Sequence, residues 1–274
     1  EVRLDVQVRQ GKKLIGDLAR EDFTIRDERQ PQAVKYFNRE TEPLTLLLVL
    51  DVSGSMRRYI QEMSKSAAMA LGALRNDDRV GILVYARRPR LHFDFSSSPE
   101  EAAARIRTAP DNDYVGSGTN TNDAVVAAAK MLKDKAPAGR RAILIVTDNG
   151  GLNEKLPDEE VLKALYDADV VLNSIVVGKG SKPKPMRPDQ NPDYTPTDVF
   201  RLSEESGGEV LKSEKAAESF VSMVERIRTR YALAYPAPAA AEGQFRQVEV
   251  ALSAGALRKY PGAKVIARRG YYVR

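Results

Sequence analysis

The stretch LLLVLDVSGSM, residues 46–56, joins a solid apolar run to one carboxylate and two hydroxyls: Asp51, Ser53 and Ser55. Two other stretches carry the same chemistry. GSGTNTNDAV, residues 116–125, is a glycine-rich loop that offers Thr119 and Thr121 just ahead of a helical pattern. LIVTDNGG, residues 144–151, ends a further apolar run on Asp148. These donors are all hard oxygens, and an oxygen-only set suits Mg2+ or Mn2+ held octahedrally, while the same oxygens also admit Ca2+. Two carboxylates would roughly neutralise such an ion. Neutral hydroxyls would leave it electrophilic enough to attract one more anionic oxygen. Each stretch alone also has a plainer reading: Ser53 or Ser55 as a helix N-cap, and Asp148 as the cap of the turn after its strand.

Bringing three loops to one point requires strands that all end on one side. Residues 44–50 are apolar except for Thr45, as in a strand covered on both faces of a parallel sheet. RVGILVYA (79–86), RRAILIVTD (140–148), DVVLNSIVVG (169–178) and GGEVLKS (207–213) read as further strands, with RLHFDF (90–95) a short neighbour. Between them lie helical patterns. Ile60, Met63, Ala67, Ala70, Leu71 and Leu74 recur at helical spacing, and SSSPEEAAARIRTA has Ser98 as N-cap, Pro99 as first helical residue and Glu101 completing a capping box. TNDAVVAAAKMLKDK, PDEEVLKALYDA, PTDVFRLSEES and EKAAESFVSMVERIRTR complete the series. Alternating strands and helices predict a three-layer, doubly wound α/β/α domain with a mostly parallel sheet over residues 44–229, whose ligands bind beyond the carboxyl ends of the strands.

Both chain ends differ in texture. Val2, Leu4, Val6 and Val8 alternate with polar residues, RQGKK reads as a turn, and residues 21–37 read as a second hairpin turning near Gln30-Pro31. The tail offers YALAYP, FRQVEVAL and AKVIARRGYYV as strands. Residues 1–43 and 230–274 are therefore expected to fold together as a small discontinuous β-domain. The proline-rich segment 179–196, KGSKPKPMRPDQNPDYTP, reads as one long loop.

The three oxygen-bearing stretches match in order and spacing a known signature. DVSGSM, the GT of GSGTNTNDA and TDNGG resemble the metal-ion-dependent adhesion site of von Willebrand factor type A domains. That resemblance implies a coordinating set of Asp51, Ser53, Ser55, Thr119 and Asp148, with Thr119 preferred to Thr121 because Asp123-Ala124 then fall where the family has them. It implies metal-dependent protein binding, with an Asp or Glu carboxylate of the partner taking an open position. The whole chain also resembles a von Willebrand factor A-related family common in acidobacterial genomes, whose members are usually exported, which suggests an extracytoplasmic location. The chain opens inside a strand pattern without an initiator methionine and reads as trimmed or processed, so the lack of a signal peptide carries no weight.

Composition limits the alternatives. With no cysteine in 274 residues, thiolate metal sites, disulfides and cysteine nucleophiles are excluded. His92, the single histidine, lies in a short strand beside Phe93 and reads as structural, which disfavours a Ser-His-Asp enzyme. A hydrolase or phosphoryl-transfer enzyme using the same ion would need a general base, for which only Asp113 or Asp123 offer themselves. Lys plus Arg exceed Asp plus Glu by 43 − 38 = 5, with no run of five basic residues, so a nucleic-acid-binding module has little support. The longest apolar stretch, residues 44–50, is too short to span a bilayer. Lys182, Lys184 and Arg187, with Lys179, sit in the long loop on the expected ligand face; with Arg57, Arg58 and Tyr114 they form a candidate rim for an acidic partner.

Overall fold

The computed structural model describes residues 1–39, 42–111, 115–137, 139–187, 191 and 193–274. At its centre a six-stranded sheet is built from β6 (Leu44–Asp51), β7 (Arg79–Tyr85), β8 (Pro89–Ser96), β9 (Arg140–Thr147), β11 (Val170–Val177) and β13 (Val210–Ser213). The strand order is β13-β11-β9-β6-β7-β8, parallel throughout except for the antiparallel edge strand β8. Every residue of β6 and β11 is buried, which is why those segments are mostly apolar and do not alternate.

Helices cover both faces. α1 (Arg57–Leu71), α2 (Pro99–Thr108) and α6 (Ala216–Arg228) pack on one face through Ile60, Met63, Ile106, Phe220 and Met223. On the other lie α3 (Thr121–Lys135), α4 (Asp158–Asp167) and α5 (Val199–Ser206), packed through Val125, Leu132, Leu165 and Leu202. The doubly wound α/β architecture is thus present. Ser98 caps α2 by accepting from the Glu101 amide at 3.2 Å. His92 lies against the last turn of that helix, its Nε2 3.0 Å from the Arg105 carbonyl and 3.2 Å from the Thr108 hydroxyl.

The two chain ends share two further sheets. β1 (Val2–Gln10), β2 (Lys13–Leu14) and β5 (Tyr36–Arg39) join β14 (Tyr231–Tyr235) and β16 (Lys264–Ile266) in one sheet. The other holds β3 (Phe23–Asp27), β4 (Gln30–Gln32), β15 (Phe245–Leu252) and β17 (Gly270–Tyr272), in the order β17-β15-β3-β4. Three details differ from the sequence reading. The second hairpin turns at Glu28-Arg29, both at positive φ (47° and 66°), and Pro31 lies in the edge strand β4, where its missing N–H costs nothing. A short helix, α7 (Ala254–Lys259), follows β15, capped by Ser253. The last apolar run is split between β16 and β17, because Arg268 and Arg269 leave the strand path to reach Asp169 and the Glu205 carbonyl.

Where the β unit meets the central sheet, Asp5 of β1 pairs with Arg140 at the start of β9 (2.9 Å) and with the buried Arg230. Arg140 also donates to the last carbonyls of α6, at Ile227 and Arg228. This junction lies at the amino ends of the parallel strands, opposite the end at which Asp51 and Asp148 sit.

Asp27, fully buried, holds the β unit together. It accepts from the hydroxyls of Tyr235 (2.8 Å) and Tyr271 (2.9 Å) and from Arg246 (2.7 and 2.8 Å), one residue from the first chain segment and three from the last. Asp27→Ala strands a guanidinium and two phenols, and should cost about 3–5 kcal/mol in urea unfolding. A loss below about 1 kcal/mol would contradict this role.

Candidate functional site

The carboxyl ends of β6 and β9 are neighbours, since the two strands pair in parallel register up to Leu50 and Val146. Asp51 is the last residue of β6 and is fully buried. Its Oδ1 accepts from the Ser53 amide at 3.0 Å and its Oδ2 from the Thr147 hydroxyl at 2.8 Å. Asp148 follows β9 directly. One of its oxygens accepts from the Gly150 amide at 3.0 Å, as the plain turn-capping reading expects, and the other accepts from the Ser55 hydroxyl at 2.6 Å. Ser53 and Ser55 place their hydroxyls 3.4 Å apart. Neither caps the following helix: α1 begins after Met56 with no side-chain cap. Four of the five residues expected to hold a cation are therefore linked in one hydrogen-bonded chain.

Thr119 arrives from a third loop. The Asn120 amide donates to the Ala86 carbonyl at 2.8 Å, fixing that loop to the end of β7. Thr119 packs so tightly on Gly151 that a methyl group there would lie 2.4 Å from the Thr119 carbonyl oxygen, a reason for glycine at that position. Thr121 is buried, its hydroxyl 3.3 Å from that of Tyr85 and 3.5 Å from that of Thr197.

Electrostatically, Asp51 stands apart. Among the described residues the fully or nearly buried carboxylates are Asp27, Asp51, Asp78 and Glu209. Asp27 has Arg246, Asp78 has Arg228 at 2.9 Å, and Glu209 has Arg226 at 3.1 Å. Among the described residues no cationic side chain pairs with Asp51, and the charged group that acts on it is another carboxylate, Asp148. Burial pushes its pKa up to about 6, with Asp148 adding to the rise and hydrogen bonds from Ser53 and Thr147 opposing it.

No cluster of three or more His, Cys, Asp or Glu side chains occurs among the described residues, so a cation here would rest on two carboxylates and neutral hydroxyls. The spacing fits such a set: adjacent ligands of an octahedral Mg2+ lie about 2.9 Å apart, and the observed hydroxyl and carboxylate separations of 2.6 and 3.4 Å bracket that value.

Two residues that the sequence reading passed over build this geometry. Thr147 bridges Asp51 and the Asn149 amide, 3.0 Å away. Asn149, at φ 55°, donates from its side chain to the Ser181 carbonyl at 2.8 Å and accepts from the Val199 amide, tying the site to the long loop and to α5. Their only sequence signal was a Thr-Asp-Asn triplet ending a strand.

The rim residues divide. Arg57 pairs with Asp111 at 3.7 Å, and Arg58 stacks over Tyr59 and donates to its hydroxyl, so both are engaged at the start of α1. Lys182, Lys184 and Arg187 line one open groove with Asp148. Tyr114 and Asp113 lie outside the described residues. The last part of the proline-rich loop is not loop: β12 (Tyr194–Pro196) pairs antiparallel with β10 (Leu152–Glu154), the strand that follows Asp148 and Gly151.

Comparison with known proteins bears on the fold that carries these loops. The family model described as von Willebrand factor type A domain matches residues 46–151, a span that contains Asp51, Thr119 and Asp148. Residues 46–151 thus match a von Willebrand factor type A domain. Solved structures share its fold. BatB, a conserved hypothetical protein from Bacteroides thetaiotaomicron, is 18% identical over 67% of this chain and 97% of that one, with a TM-score of 0.52. Proximal thread matrix protein 1 from the mussel byssus is 15% identical over 72% of this chain and 49% of its own, at 0.53. A von Willebrand factor type A protein from Catenulispora acidiphila is 12% identical over 97% and 73%, at 0.54, so its likeness extends over the β unit as well. No curated protein matches the chain in sequence. Domains of this family are generally binding modules and often mediate contacts between proteins.

The raised pKa of Asp51 sets a pH dependence. Because its folded-state pKa lies above the ordinary value of 3.8, protonated Asp51 favours folding. That contribution is complete below the ordinary value and is lost as pH rises through about 6, a span worth on the order of 3 kcal/mol. In EDTA, Asp51→Asn should therefore gain stability relative to wild type by about that amount between roughly pH 4 and pH 8, read by urea unfolding. A pH-independent difference would contradict the burial of an uncompensated carboxylate.

Proposed function

We propose that the chain is a divalent-cation-dependent protein-binding module. Asp51 and Asp148 supply the carboxylates, directly or through water, Ser53 and Ser55 the hydroxyls, and Thr119 joins them in at least one conformation. The ion, Mg2+ or Mn2+ first and Ca2+ next, supplies a Lewis-acidic position for an Asp or Glu carboxylate of the partner. One observation carries this reading: Asp51 is the buried carboxylate without an arginine, and it lies where two serine hydroxyls and a second carboxylate converge. A cation would provide the missing countercharge. The protein's own part is to keep the donors close against their mutual repulsion, which Thr147, the Ser53 amide and the Gly150 amide do.

The enzyme reading has less support. Asp123 is occupied at the start of α3, where its carboxylate accepts from the Asn120 side chain at 2.6 Å, and His92 is held against α2. Among the described residues no helix is long and apolar enough to cross a membrane. One solved structure of the same fold, 18% identical at a TM-score of 0.51, is titled an aerotolerance-related membrane protein from Bacteroides fragilis, which favours work at or beyond a membrane, and we place this chain outside the cytoplasm.

Titration with MgCl2 or MnCl2 should stabilise wild type by about 2.7 kcal/mol at a hundredfold excess over Kd, raising its melting temperature saturably by roughly 5–10 °C for a chain of this size. Asp51→Ala and Asp148→Ala should show no such rise. An equal shift in all three proteins would refute cation binding at this site.

A further inference from the structure

We propose that the β10–β12 ribbon and the basic segment 179–187 form a second contact surface beside Asp148, shaped for an extended acidic segment of a protein partner that also carries a large apolar side chain. This deepens the binding role proposed above and rests on it for the position of the first carboxylate.

The ribbon's orientation follows from strand geometry. Leu152 pairs with Pro196, Asn153 with Thr195 and Glu154 with Tyr194. Cross-strand partners share a face, and successive residues alternate between faces. Asn153 is fully buried and accepts from the Asn122 amide at 2.9 Å, which fixes its face inward, against the start of α3. Leu152, Glu154, Tyr194 and Pro196 must then face outward. Leu152 is 56% exposed and Tyr194 45%, while Met186 of the neighbouring loop is 36% exposed. Scattered apolar side chains on a surface need no explanation. Here, three of the seven large apolar side chains exposed among the described residues belong to this one ribbon and loop, and that concentration marks an interaction surface.

The charge of the surface selects the partner. Leu152, Asp148, Lys179, Lys182 and Lys184 line a single groove, in which Asp148 is the one acidic side chain among the described residues. No ion pair reaches Lys179, Lys182 or Lys184 among the described residues, whereas Glu154, on the ribbon, is taken by Arg87 at 3.5 Å. Pro183 and Pro185 alternate with the lysines and keep the backbone from folding back on itself. Lys182 also lines the adjoining groove with Arg9 and Lys12 of the β unit, so positive charge continues away from Asp148. There, Arg9 is matched by Glu209 at 3.4 Å, and no ion pair reaches Lys12 among the described residues. A chain that places one carboxylate at Asp148 would have further carboxylates over these lysines and an apolar side chain against Leu152 and Tyr194. A nucleic acid fits less well, since its phosphates would run past Asp148 and Glu154 and its base edges would find aliphatic carbon.

The test uses the whole chain in MgCl2 and follows fluorescence anisotropy of three labelled probes: a short Glu-Ser repeat peptide, the same peptide with two serines replaced by leucine, and a single-stranded oligodeoxynucleotide of equal charge. The leucine-bearing peptide should bind wild type roughly fivefold to tenfold more tightly than the plain one. Lys182→Glu/Lys184→Glu should weaken both peptides by about tenfold and flatten their salt dependence. Leu152→Ser/Tyr194→Ser should remove the preference for leucine. All four positions are exposed, and thermal melts of the variants, with Lys182→Gln/Lys184→Gln as a milder pair, separate lost contacts from lost folding. The inference is overturned if neither peptide binds, if the oligonucleotide binds as well as the leucine peptide, or if the lysine and apolar variants match wild type. In that last case, loss of binding in Asp51→Ala or EDTA would leave the cation site standing. Loss in the surface variants with no effect of Asp51→Ala or EDTA would instead sustain this surface and overturn the cation reading.

Discussion

Two carboxylates are held close together at the ends of adjacent parallel strands, one of them without any contact with water. That arrangement is costly, because burial and like charge both oppose ionisation. Elsewhere the protein solves the same problem with arginine, at Asp27, Asp78 and Glu209. At Asp51 it uses a threonine hydroxyl and one amide, which orient the carboxylate without neutralising it. The positive charge is left for something other than a side chain to bring.

The fold serves this arrangement in two ways. The central sheet, buried on both faces, gives β6 and β9 no freedom to slide, so the loops after them leave from fixed points. The β unit is fastened at the other end of the same strands through Asp5, Arg140 and Arg230. Its stability comes from the chain's two ends closing on Asp27, and it keeps clear of the loops that carry Asp51 and Asp148. Asn149 then links the site to the long loop and α5, so the groove beside Asp148 inherits its position from the core.

Much of this was legible in the sequence, for physical reasons. Strands covered on both faces are mostly apolar, which made β6, β7, β9 and β11 easy to see, and chemistry at their carboxyl ends had to lie in the residues that end or follow each run. Thr147 and Asn149 were not legible, because a hydroxyl that orients a neighbouring carboxylate looks like any strand-ending threonine. The hairpin turn was misplaced because proline is the stronger turn signal in isolation, whereas Glu28 and Arg29 adopt positive φ only because the strands around them pair. The β10–β12 ribbon was hidden inside a proline-rich stretch; each of its strands is three residues long and exists through its pairing with the other. The break between β16 and β17 depends on contacts with the other unit, Arg268 with Asp169 and Arg269 with the Glu205 carbonyl, which no local pattern records.

The most direct measurement is the anomalous scattering of Mn2+ in crystals of this protein. The account requires one strong peak within coordination distance of Ser53, Ser55 and Asp148, with Asp51 in the first or second layer of ligands and one coordination position open to solvent. No peak there, with Ser55 still donating to Asp148 and Asp51 still bonded to Thr147 and Ser53, would contradict it.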